Sequence, residues 1–181
     1  MIIGITGTIG AGKGTVVDYL KEKGFAHYSV RDVLMKEIEK RGLPPDRDSM
    51  RTVGNELRAL HGPDYFVKTA FEQAEAEEEN ALIESVRAMA EAEFLKSNGA
   101  LLLAVDADRR LRYERIQARG LSTDHVDFDT WVAQERKELT SADPNGQNII
   151  GVMLEADYLI ENDGTLEELH QKIDEMFQAL L

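Results

Sequence analysis

The first fifteen residues constrain this chain more than any other stretch. Ile2-Ile3-Gly4-Ile5 is a short apolar run of the kind that forms a strand buried on both faces. The chain then turns through glycines into Val16-Val17-Asp18-Tyr19-Leu20, which reads as a first helix. Gly7, Gly12 and Lys13 satisfy the spacing G-x-x-x-x-G-K. Glycines let successive backbone N–H groups converge on one anion, and the positive end of a helix dipole faces the same point. A lysine at this offset reaches the outer phosphates of a nucleotide. A tight turn that needs glycine for steric reasons alone accounts for one or two of these glycines, but not for the lysine. Gly10, Ala11, Gly12, Lys13, Gly14 and Thr15 are therefore expected to hold the phosphates of a nucleotide.

Downstream, strand and helix patterns alternate. Short apolar runs at 25–29, 81–84, 100–105 and 158–160 are separated by helical stretches, the last of which places Leu166, Leu169, Ile173, Met176, Phe177 and Leu180 on one stripe. Such alternation predicts an α/β fold, a five-stranded parallel sheet between two layers of helices, with ligands beyond the carboxyl ends of the strands. The 181 residues predict a single domain. Residues 42–79 carry helical patterns without a strand and are expected to form a helical insertion; residues 120–127 form a polar loop between two helices.

The net charge of −13 argues against a broad nucleic-acid surface, which needs a basic face. There is no cysteine, and the four histidines are far apart in sequence, which argues against a zinc site. No run is long enough to cross a membrane, and a cytoplasmic location is expected. An acidic chain that binds polyphosphates must concentrate its cations locally. Arg112, Arg115 and Arg119 are spaced by three and four and share a helix face, expected to point away from the core. Arg136 follows on the next helix, so two basic helices and a short lid at 120–127 could close over a triphosphate. The alternative is surface pairing with Glu114, Glu135 and Asp108. Arg87, just beyond the third strand, is suited to hold an acceptor's phosphate bidentately, or else to pair with Glu91. Glu84, at the tip of that strand, could orient Mg²⁺-bound water or simply be solvated.

With these residues assembled, the chain resembles the P-loop kinases of the nucleoside monophosphate kinase type. Gly7 to Thr15 matches the adenylate kinase form of the loop, with Gly14 where other phosphate loops carry a Mg²⁺-binding hydroxyl. The segment from His27 to Leu34 is similar to the one that opens the monophosphate site in that family, with Asp32 in the matching position. Glu84-Ser85-Val86-Arg87 stands where the family has an acidic residue, a turn and its substrate arginine, and Arg115 and Arg119 match its phosphate-clamping arginines. The resemblance implies a three-layer α/β/α P-loop NTPase fold, ATP and Mg²⁺ as cofactors, 42–79 as an acceptor-binding insertion and a small-molecule phosphate acceptor. Lys13, Arg115, Arg119 and Arg136 would act on the transferring group, with Asp32, Arg31 and Arg87 on the acceptor. Met35 stands where adenylate kinases have a substrate arginine, and Arg31 or Arg51 could replace it. The segment from Ala156 to Gly164, with Asn162 and Gly164, resembles the adenine-proximal loop of dephospho-coenzyme A kinases and of archaeal-type small kinases. The D-x-D with which dephospho-coenzyme A kinases activate a hydroxyl is replaced here by Ser29-Val30-Arg31, which favours a phosphate acceptor. A hydroxyl acceptor, and a nucleotide-operated switch or accessory ATPase, are the other readings.

Overall fold

The computed structural model describes residues 1–77, 80–121, 125–141, 143 and 146–180. Five strands form one parallel sheet in the order β2-β3-β1-β4-β5, with β1 at Ile2–Gly7, β2 at Ala26–Ser29, β3 at Ala81–Glu84, β4 at Leu101–Asp106 and β5 at Tyr158–Glu161. Strand β1 lies at the centre, and its residues from Ile3 to Gly7 are almost wholly buried, as a run without polar alternation requires. The helices are α1 (Lys13–Glu22), α2 (Val30–Lys40), α3 (Arg47–His61), α4 (Tyr65–Ala76), α5 (Met89–Ser97), α6 (Arg109–Arg119), α7 (Phe128–Leu139), α8 (Ile149–Leu154) and α9 (Leu166–Ala179).

One face of the sheet packs Ile3, Ile5, Leu103 and Val105 against Val16, Val17 and Leu20 of α1 and Leu169, Ile173 and Met176 of α9. The other packs Ile83 and Leu102 against Val67 and Phe71 of α4, Ala92 and Leu95 of α5, and Val152 of α8. This is the three-layer P-loop NTPase architecture expected above. A third, smaller cluster joins Val30, Leu34 and Ile38 of α2 to Val53 of α3 and Phe66 of α4. The helices expected between 42 and 79 thus share a small core of their own, built on α2. Residues 78 and 79 of that stretch, and 122–124 of the expected lid, lie outside the described residues. Among the described residues no helix is long and apolar enough to cross a membrane.

The topology gathers functional groups at one end of the sheet. The carboxyl ends of β1, β3, β4 and β5 lead respectively into the glycine loop, the turn from Glu84 to Arg87, Asp106, and Asn162. These four strands lie side by side in the sheet, so the segments that follow them are neighbours.

Candidate active site

The glycine loop is held open by its surroundings. Gly10 has φ of +81°, and a Cβ there would fall 2.5 Å from the Arg112 carbonyl. Gly12 has φ of +98° and caps α1 without a side chain; a Cβ there would collide with the Asn162 amide. The first-turn N–H groups of Lys13, Gly14 and Thr15 have no intrahelical acceptor, so they remain for an anion. Thr8 donates its hydroxyl to Asp106 at 2.5 Å, and Asn162 Nδ2 donates to the Ala11 carbonyl at 2.8 Å. Strands β4 and β5 therefore fix the loop from below.

Lys13 arches back over this loop, donating to the carbonyls of Gly7 and Thr8 at 2.9 and 2.8 Å. Its pKa is lowered to about 7, first by burial and then by the like charge of Arg87; Glu84 and Glu138 partly offset this. In Glu84, burial opposes ionisation, but the hydrogen bond with His27 (3.1 Å) and the charges of Lys13, His27 and Arg87 prevail, holding its pKa below the usual carboxylate range. Glu84 is thus a carboxylate beside a lysine whose charge depends on the solvent.

A consequence for nucleotide binding follows. Phosphates placed against Lys13 favour its charged form and raise its pKa. At pH 8 the lysine is mostly neutral before binding, so each nucleotide bound should take up close to one proton; at pH 6, where it is already charged, uptake should fall toward zero. Calorimetric titration with ATP in buffers of differing ionisation enthalpy reads this number directly. A buffer-independent enthalpy at both pH values would mean that Lys13 is charged throughout.

Two cavities adjoin along the turn after β3, where Glu84 lines one and Ser85 the other. The first is a cleft of about 410 Å³ lined by Gly10, Gly12, Lys13, Gly14, Thr15, Glu84, Arg115 and Arg119, a volume in the range of small-molecule sites, ~300–1,000 Å³. The second is a narrow cavity of about 40 Å³, and its wall contains Arg31, Arg47, Arg51, Arg58 and Arg87, with Ser85, Glu138 and Gln147. Arg87 and Glu138 from its wall both act on the charge of Lys13. At ~10–15 Å³ per water position, it admits an anionic group or a few waters in this conformation.

The structure brings most of the expected residues together, with corrections. Arg115 and Arg119 reach the phosphate cleft; Arg115 is anchored by donating to the Asn162 carbonyl at 2.8 Å. Arg112 does not point away from the core. It is buried, donating to the Ala107 and Ile9 carbonyls and pairing with Glu135 beneath the Trp131 ring. Arg136 is exposed on α7 and is not among the residues lining the cleft. Arg31 and Arg87 line the arginine-rich cavity, whereas Asp32 is exposed on α2 and borders a separate groove with Met35, Leu43 and Pro45. Its departure is periodic: α2 buries Val30, Leu34 and Ile38, and Asp32 sits two residues off that stripe. Asn162 lies under the glycine loop, and Gly164 is exposed in the turn before α9, where a side chain would collide with Glu168.

Arg87 does not pair with Glu91. Its guanidinium donates to Glu138 at 2.5 Å and to Gln147 at 3.0 Å. Glu91 instead accepts Nε and Nη2 of Arg58, and its other oxygen accepts the N–H groups of Arg87 and Ala88. Between Glu84 and Arg87, Ser85 holds φ of +76°, an unfavourable conformation for a residue with a Cβ, of the kind that collects at functional sites. Sequence reasoning passed over Arg47, Arg58, Glu138 and Gln147, and read Glu91 only as a partner for Arg87. One signal was present: Trp131, Glu135 and Glu138 share the spacing of a buried stripe, and carboxylates on such a face call for cationic partners.

Comparison with known proteins agrees with this architecture. A family model described as an AAA domain matches residues 3–138. A UPF0200 protein of Thermococcus sibiricus is 30% identical over 187 residues, covering 99% of this chain and 95% of that protein. Among solved structures, shikimate kinase from Bacteroides thetaiotaomicron superposes with a TM-score of 0.62 at 14% identity, over 98% of each chain. Dephospho-CoA kinase from Campylobacter jejuni does so with a TM-score of 0.51 at 14% identity, over 98% of this chain and 96% of that one. These two likenesses establish a shared fold. From the loop that begins it to the sheet that carries it, the chain belongs to the AAA-domain family of P-loop proteins, and its full-length relatives are the UPF0200 proteins.

Proposed function

We propose that this protein transfers the γ-phosphoryl group of ATP to a small anionic acceptor, with nucleoside monophosphates and dephospho-coenzyme A as the first compounds to test. The observation that carries this reading is the pair of sites that adjoin at Glu84 and Ser85. A glycine loop with unfilled N–H groups opens on one side, and an arginine-walled cavity lies on the other. A switch protein needs only the first of these.

Lys13 and the loop amides hold the donor phosphates, and Arg115 and Arg119 neutralise charge that builds on the transferring group. Arg31, Arg51 and Arg87 hold the acceptor, and Arg136 joins the clamp only if α7 swings inward. The oxygen donors fit Mg²⁺, which takes one or two carboxylates together with nucleotide phosphates: Glu84 offers a carboxylate at the cleft, and Thr15 a hydroxyl beside it. When bound, the ion would supply positive charge that offsets the charge of the donor phosphates.

The test is ADP release from Mg²⁺-ATP against a panel of ribo- and deoxynucleoside monophosphates and dephospho-coenzyme A, with Lys13→Ala as control. Stimulation by one acceptor, lost in the control, is the expected result. ADP release that no compound stimulates would overturn the kinase reading.

A hydroxyl acceptor gains support from one observation. The case for a phosphate acceptor leaned on the want of a carboxylate near the acceptor. Glu138, distant in sequence, supplies one in the cavity wall.

A further inference from the structure

We propose that Glu138 is a catalytic carboxylate of the acceptor site, and that the group phosphorylated is a hydroxyl of a small anionic compound. The proposal rests on the kinase reading above and names its acceptor class. Glu138 is the single carboxylate among the residues lining the arginine-walled cavity. It is buried, 6% exposed, and reaches the cavity from α7. One oxygen, Oε2, is held by Arg87, which Gln147 also fixes. Its other oxygen, Oε1, accepts no hydrogen bond from the described residues, yet it is not among the side-chain atoms sealed in the interior. It is left for a donor that enters the cavity.

The chemistry of that donor is restricted. A phosphate dianion offers oxygens without hydrogens, so a carboxylate facing it adds repulsion and no hydrogen bond. A hydroxyl does the reverse, donating to Oε1 while its own lone pair stays free to attack. The arginines of α2 and α3 provide for the anionic part of the molecule, and Glu138 for the alcohol. The cavity that Glu138 lines adjoins the phosphate cleft through the consecutive residues Ser85 and Glu84. The other carboxylate there, Glu84, lines the donor cleft and is engaged by His27.

The step balances. The hydroxyl oxygen forms a bond to the γ-phosphorus as the bond from that phosphorus to the β,γ-bridging oxygen breaks. The bridging oxygen leaves on ADP with the electron pair, and the hydroxyl proton passes to Glu138. Arg87 is a positioning residue in this scheme, since it aims the carboxylate.

The probes are shikimate, gluconate, glycerate and dephospho-coenzyme A as hydroxylated anions, with nucleoside monophosphates for comparison. The product linkage is read by ³¹P NMR, which separates a phosphate ester from a phosphoanhydride. A phosphate ester is expected from one of them. Glu138→Gln should then lower kcat by about 100-fold or more and leave the acceptor KM within about threefold. Glu138→Asp, which keeps the charge at shorter reach, should retain part of the rate, and an unchanged thermal midpoint separates these effects from misfolding. A phosphoanhydride product would overturn the role of Glu138 while upholding the kinase. An ester formed with undiminished kcat in Glu138→Gln would do the same. ATP hydrolysis that depends on Lys13 but ignores every probe would go against both.

Discussion

Alanine at Arg115 or at Arg119 is expected to slow acceptor-stimulated ADP release by about 10³–10⁵-fold, the range spanned by arginines that stabilise charge on a transferring phosphoryl group. The expectation rests on placement. Both side chains line the cleft that contains Lys13 and the first turn of α1, so in the proposed reaction charge developing on the γ-phosphate would lie between the loop amides and these guanidinium groups. The effect should fall on the rate far more than on ATP affinity, because an interaction that strengthens in the transition state does not deepen ground-state binding. The two variants should nevertheless differ. Arg115 is bonded to the Asn162 carbonyl, while the Asn162 side chain holds the Ala11 carbonyl of the loop. Its loss should weaken ATP binding as well, whereas Arg119→Ala should leave ATP binding nearly intact. Single-turnover rates at saturating Mg²⁺-ATP, beside calorimetric ATP affinities, measure both quantities. Turnover within about tenfold of the parent protein in both variants would remove the two arginines from the mechanism.

Glu91→Ala is expected to destabilise the fold by about 3–5 kcal/mol, the usual cost of stranding one charge of a buried pair. Arg58 and Glu91 are 1% and 0% exposed, and Arg58 meets the carboxylate through two nitrogens while covering the Phe66 ring. With Glu91 gone, the guanidinium has no counter-charge in a site that water barely reaches. Replacing both residues by apolar ones of similar volume should recover most of the loss, since the pair's attraction is largely cancelled by the desolvation of both ions. Urea denaturation of the two single variants and the double variant closes the cycle. A loss in the double variant equal to the sum of the two single losses would show that the charges are not coupled. Because Glu91 also accepts the N–H groups of Arg87 and Ala88, the same variant should raise the KM for the acceptor.

What the sequence disclosed and what it withheld divide along a physical line. Features set by neighbours along the chain were legible. The glycine loop, the apolar strands and the helix stripes depend on spacings of a few residues, and each of the short apolar runs is a strand of the sheet. Features set by partners across the fold were not. Arg112, Arg115 and Arg119 share a stripe, yet Arg112 is withdrawn from it by a carboxylate 23 residues away. Arg87 is engaged by Glu138 at a separation of 51 residues, and Arg58 by Glu91 at 33. Helical spacing says which side chains travel together, not which of them another helix will claim. Asp32 fell between these cases, since the stripe of Val30, Leu34 and Ile38 already turned it away from the cavity.

The bond from Asn162 to the carbonyl of Ala11 has a meaning for how the protein is made. It joins positions 151 residues apart, and the ribosome delivers the first of them long before the second. At roughly 5–20 residues per second, the glycine loop waits about 8–30 s for the strand that steadies it. During that interval β1 also lacks β3 and then β4, its partners on either side. A nascent chain thus carries the whole phosphate-binding motif without the surroundings that give it shape. The shape on which the proposed nucleotide site depends is therefore complete only near the end of synthesis.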